Sequence, residues 1–139
     1  MTKSIFGRTP TVRGAVAGEP GRRIWAVWAR GYYGGLKREE GNVLHVLRVV
    51  IEDPDQPDER LLDGFRSIVR MAQREAAEWH TQDVQMWNPT AKLRGLVDKC
   101  GIESEFVVRE TDSIASLRWY GDEPVSEVDW VANEKYAWC

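Results

Sequence analysis

The chain is short of cysteine and histidine and has no long apolar run, and each shortage argues against a class of function. Only Cys100 and Cys139 occur, neither in a CxxC pair, so the sequence supports neither a disulfide scaffold nor structural zinc. His45 and His80 stand apart without paired ligand spacing and add no metal pattern. No stretch approaches the ~20 apolar residues that cross a bilayer. The start, MTKSIFGRTPTVRG, lacks the continuous apolar segment of about 7–15 residues that a secretory signal carries. The expectation is a cytoplasmic chain with no membrane partner. Asp112-Ser113 and the distant His80 come without a nucleophile elbow, so no hydrolase triad is indicated.

A large excess of either charge is also lacking, with 19 Lys and Arg against 22 Asp and Glu. The net charge of −3 divides into +5 over residues 1–40, from eight Lys/Arg and three Glu, and −8 over the remainder. The basic residues are spread out rather than clustered, and a pI near 5.5 opposes phosphate binding. No nucleic-acid partner is expected. At 139 residues the chain suits one domain with a real core.

What is present is an alternation of apolar patterns. Residues 1–23, punctuated by Gly7, Pro10, Gly14, Gly18, Pro20 and Gly21, read as an extended or poorly ordered lead-in, with the folded domain over 24–139. Ile24–Ala29 is strand-prone, and Gly31–Gly41 reads as a loop. Val43–Ile51 is apolar on both alternating faces, the mark of an interior strand covered on two sides. From Asp58 to about His80, Leu61, Phe65, Ile68, Ala72, Ala76 and Trp79 recur every three or four residues and predict a long helix. Asp83–Trp87 then reads as a short strand, Asn88-Pro89 as a turn, and Leu93, Leu96, Val97 and Cys100 as one face of a short helix ended by Gly101. Three further strands are predicted at 106–109, 114–120 and 128–131. The order β-β-α-β-α-β-β-β implies an α/β (α+β) mixed sheet, partly parallel through its β-α-β crossover.

Most of the seven tryptophans read as core, while Trp119-Tyr120, Tyr136 and Trp138 are candidates for an apolar surface that meets a partner domain. His45 reads as a satisfied buried histidine and Cys100 as a small buried hydrophobe. Glu39 and Glu40, beside Lys37 and Arg38, read as a solvated loop, with a general base for an amine the minority reading.

The strand–long helix–strand–short helix order, with Val84-x-x-x-Asn88-x-x-Ala91 and Gly101-Ile102, resembles the core of the GNAT acyltransferase superfamily. Further stretches sharpen the likeness: Trp25-Ala26-Val27-Trp28, Tyr32-Tyr33-Gly34, Ala76-Ala77-Glu78-Trp79, Trp87-Asn88-Pro89, 112–121 and 133–139. Together, over roughly residues 12–139, they resemble the C-terminal GNAT-like domain of the fungal lysine N-acetyltransferase family. That resemblance implies a GNAT-like mixed sheet with a long helix after the central strand. It also implies a partner, in cis or trans: a catalytic GNAT domain that binds acetyl-CoA and acetylates lysine. Asn88 falls on the family's fifth-strand pattern and joins Trp119, Tyr120, Tyr136 and Trp138 as a candidate interface or substrate-cleft residue.

Two departures bear on catalysis. Where a working GNAT domain carries an Arg/Gln-x-x-Gly-x-Gly/Ala loop for the cofactor pyrophosphate, this chain has Glu52, Asp53, Asp55, Asp58 and Glu59, with Arg60 the nearby cation and Gly64 well inside the helix. Like charges ~5 Å apart repel by roughly 1 kcal/mol in water and by more in a partly dry cleft. Where the superfamily commonly has a Tyr acid, Gly95 stands. The expectation is therefore no catalytic residue and no cofactor in this chain, with acetyl-CoA held by the partner half. The alternatives are a free-standing acetyl-CoA-dependent N-acyltransferase, with Arg48 or Arg60 meeting the phosphates, and an interaction module without acyl transfer.

Overall fold

The computed structural model describes residue 7 and residues 9–111, 116, 118–129 and 135. Four strands form one sheet in the order β1 (Gly14–Ala17), β2 (Ile24–Tyr32), β3 (Asn42–Ile51), β4 (Asp83–Met86). The first three are antiparallel neighbours, and β4 runs parallel to β3. Between them lies α1 (Asp58–Glu78), and α2 (Ala91–Lys99) follows. This is the mixed α/β sheet with a long and a short helix that the pattern of apolar residues predicts.

Side-chain alternation decides what the sheet buries. Ile24, Ala26 and Trp28 of β2 and Leu44 and Val46 of β3 point to one face, where they pack with Leu61, Phe65, Ile68, Ala72 and Ala76 of α1. Leu93, Leu96 and Cys100 join the same core, so both helices cover one face. Phe65 and Leu61 are each 1% exposed, and burial of such side chains stabilises by roughly 1.5–3 kcal/mol apiece. Gly64 allows α1 to approach β2, because a Cβ there would stand 2.6 Å from Cγ2 of Ile24. Pro57 is the N-cap of α1. Thr90 caps α2, its hydroxyl accepting from the Leu93 N–H. Beyond α2, Gly101 takes a left-handed φ of 72° that a glycine adopts without strain.

Two polar elements run through this core. Arg30, next on the buried face of β2 after Trp28, forms an ion pair with Glu75 of α1, and both side chains are almost wholly buried. The same guanidinium donates to the carbonyl of Val12 and lies over the Trp79 ring. Asn42, at 0% exposure, opens β3. Its Oδ1 accepts from the N–H of Gly34, and its Nδ2 donates to the carbonyls of Gly35 and His80. Its own carbonyl accepts from Gln82. One amide thus joins the β2–β3 loop to the turn after α1.

The last third departs from expectation. Residues 102–109 form no strand, and Phe106, Val107 and Val108 are 59%, 63% and 70% exposed. β-propensity expresses itself through a ladder and a covered face, and here Phe106 instead stacks against Arg94 of α2. Residues 118–120 and 128–129 are likewise not strands, while 114, 115, 117, 130 and 131 lie outside the described residues. Val125–Glu127 form a single 3-10 turn. Conversely, residues 14–17, inside the lead-in, pair with β2.

Removing the Asn42 amide leaves one half-buried donor and two carbonyls without their partner. Asn42→Ala is expected to lower stability by on the order of 3 kcal/mol, read from the urea midpoint at unchanged slope.

Candidate functional site

In a sheet of this kind, ligands meet the end of the central strand, where chain connections diverge. β3 leads there and carries a bulge on the way. The β2–β3 register passes from Val27↔Arg48 to Trp28↔Val46, so Leu47 is the extra residue. β3 and β4 are paired only from Val43↔Asp83 to Val46↔Met86. Past that point Asn88, at a left-handed φ of 44°, and Pro89 turn the chain away. The two strands therefore part at the bulge. The opening between them, bordered by Leu47, Arg48, Trp87, Asn88 and Thr90, has a volume of about 30 Å³, enough for one or two water molecules.

Next along the chain is the loop from β3 to α1, whose carboxylates have defined occupations. Glu52 accepts hydrogen bonds from the backbone N–H groups of Gly21 and Arg23, at 2.8 and 3.0 Å. Asp53 accepts from the N–H of Asp55 in a local turn. Gln56 donates to the carbonyls of Arg22 and Asp53. Asp58 pairs with Lys92 and Lys99 of α2, at 3.0 and 3.3 Å. Hydrogen bonds from Lys92 and then Lys99 hold the Asp58 carboxyl below the usual carboxylate range. These side chains already tie the loop to the β1–β2 turn and to α2, and they present negative charge where a pyrophosphate would sit. The loop does not fit acetyl-CoA in the superfamily's manner.

The sheet face turned away from the helices holds a second group of residues. His45 is 6% exposed, and its Nε2 lies 3.2 Å from the hydroxyl of Tyr33. Burial, then the charges of Lys135 and Arg109, push its pKa below the ordinary histidine value. In register with His45 on β4 is Gln85, followed two residues on, on the same face, by Trp87. The guanidinium of Arg109 and the ammonium of Lys135 both lie over the Trp87 indole, at 4.1 and 4.4 Å from its ring centroid. The Nδ1 of His45 and the Nε1 of Trp87 are buried and, among the described residues, have no hydrogen-bond partner.

The structure scatters the residues singled out by sequence. Arg48 is exposed on β3 and borders the small opening. Arg60 is exposed in the first turn of α1. Asn88 sits at the end of β4 beside both that opening and a larger cavity. Trp119 and Tyr120 are 42% and 81% exposed, whereas Tyr136 and Trp138 lie outside the described residues. Glu39 faces His80 at 3.0 Å. Among the described residues, no three His, Cys, Asp or Glu side chains gather as metal ligands, and no helix is long and apolar enough to cross a membrane.

Sequence reasoning missed the convergence on Trp87 and the Arg30–Glu75 pair. The second had a signal: Arg30 continues the even-numbered buried face of β2, and Glu75 lies seven residues beyond Ile68 on the α1 stripe. The first had none, because Arg109 and Lys135 are remote in sequence.

A bulged central strand that parts from its parallel neighbour, backed by a long and a short helix, defines a GNAT-like domain. The model of one family, described as the LYC1 GNAT-like C-terminal domain, matches residues 1–139, and the chain belongs to that family. Acetyl-CoA is the general cofactor of the GNAT superfamily. A comparison with curated protein sequences found no match. Among solved structures, a mutant of TTHA1254 from Thermus thermophilus is similar at 14% identity and a TM-score of 0.50, over 76% of this chain and 73% of that one. At that identity the likeness concerns the fold alone.

Two outcomes follow from this geometry. A Cβ at Gly95 would meet open space, so Gly95→Ala should gain about 0.5–1 kcal/mol from helix propensity, measured by thermal or urea unfolding. The lowered pKa of His45 means that the unfolded state takes up its proton first as pH falls. The stabilising contribution is complete above about 6.5 and is lost as pH drops through the folded value. His45→Gln should flatten the stability–pH curve across that window.

Proposed function

We propose that this domain is the non-catalytic half of a lysine N-acetyltransferase-type protein, packing on a catalytic acetyl-CoA-binding GNAT domain and shaping its substrate cleft in the cytoplasm. The observation that carries this reading is the filled, acidic β3–α1 loop. There Glu52, Asp53, Gln56 and Asp58 make hydrogen bonds or ion pairs within the domain. Several carboxylates around a doubly charged pyrophosphate repel it, and the backbone cannot approach closely without glycine.

Two further features support the reading. Gly95, where the superfamily commonly has a tyrosine acid, leaves no proton donor at that point of α2. Exposed Trp119 and Tyr120 give an apolar surface suited to a partner domain. The cofactor then belongs to the partner half, whether that half lies in the same polypeptide or a separate one.

The expected result is no heat of acetyl-CoA binding to this chain in the micromolar range and no acetylation of free lysine. Mixed with the catalytic GNAT domain of a family member, the chain should raise kcat/KM for lysine. Cofactor binding that Arg60→Glu abolishes would overturn the reading in favour of a free-standing acyltransferase. An unchanged kcat/KM on mixing would leave the domain no role in acyl transfer.

A further inference from the structure

The convergence on Trp87 lies outside the β3–α1 loop and has no part in the reading above. Arg109 and Lys135 come from distant points of the chain, and both place their charge over one indole. Among the described residues neither forms an ion pair with a carboxylate, although the chain as a whole is acidic. Bringing two like charges to one ring is opposed by their repulsion, and stacking offsets this only in part. A counter-charge would complete the arrangement.

A second observation is independent of the cations. His45 is more than nine-tenths buried on the same sheet face, and among the described residues its Nδ1 has no hydrogen-bond partner. Whichever ring nitrogen carries the proton, the Tyr33 hydroxyl serves only Nε2. The Trp87 indole N–H, a donor in every state, is likewise buried and unpartnered among them. Native structures leave few such groups unsatisfied, and each one calls for an explanation. Gln85, Trp87, Arg109 and Lys135 border a cavity of about 2010 Å³ beside β4, as do the carboxylates Asp83, Glu103 and Glu105, whereas His45 lies behind this wall, so a ligand in the cavity has room to reach the two cations.

We propose that Trp87, Arg109 and Lys135 form a binding site for a small oxyanion, a carboxylate or a phosphate group, on the cavity wall beside β4. The guanidinium supplies a planar pair of donors and the ammonium a compact charge, the two ways in which proteins hold such groups. Stacking on the indole fixes both stems in advance, which reduces the ordering cost of binding. No bond is made or broken. His45 serves as a reporter, because an anion beside Arg109 and Lys135 cancels part of the field that keeps it neutral.

The test is an NMR titration of this chain with sodium phosphate and, separately, sodium acetate, at fixed ionic strength with chloride as the balancing salt. The chain has only two histidines, and Trp87→Phe assigns the indole resonance. A saturable shift of the Trp87 indole N–H, with an upward move of the His45 pKa at saturation, is the expected result. Arg109→Gln and Lys135→Gln should each weaken binding about tenfold, and the pair should abolish it. Saturation by acetate alone identifies a carboxylate site, by phosphate alone a phosphate site, and by both the shared chemistry. Shifts no larger than with chloride, or shifts unchanged in the double variant, would overturn the proposal. Because acetyl-CoA plays no part in these titrations, their failure leaves the assignment of the non-catalytic half untouched.

Discussion

The structure depends on how the two ends of β3 are tied down. At the start, the Asn42 amide joins the β2–β3 loop to the turn that ends α1. At the far end, the Glu52 carboxylate collects the N–H groups of Gly21 and Arg23 from the β1–β2 turn. Backbone polar groups in such turns must find partners, since leaving a buried one unmet costs about as much as a lost hydrogen bond. At the start of β3 the fully buried Asn42 meets that demand for two neighbouring segments at once, while Glu52 ties down an exposed turn. With both ends held, β3 is fixed as the interior strand against which β2, β4 and α1 are placed.

That fixing has a consequence for chemistry. Because Glu52, Gln56 and Asp58 are occupied in holding the β1–β2 turn and α2, the strand-to-helix junction serves structure and carries negative charge. Positive charge gathers elsewhere, where Arg109 and Lys135 meet at Trp87.

Much of the fold was legible in the sequence. The long helix was legible because its apolar stripe repeats over five turns, and the parallel β3–β4 pair followed from the β-α-β order. Residues 106–109 read as a strand from sequence because Phe-Val-Val is β-prone anywhere, while a ladder needs a neighbouring edge that local composition does not specify. The acidic loop was legible as a departure from its superfamily. Its internal hydrogen bonds were not, since Gly21 and Arg23 lie some thirty residues away along the chain.

Sequence by itself determined the class of fold, the helix-facing core and the sign of charge at the mouth of α1, because these follow from local periodicity and from residue identity. Tertiary structure alone decided the bulge at Leu47, the parting of β3 from β4, the pairing of Arg30 with Glu75 and the meeting of two cations at Trp87. Each of those is a contact between segments far apart in the chain, and contacts of that kind are fixed only when the whole sheet closes around its core.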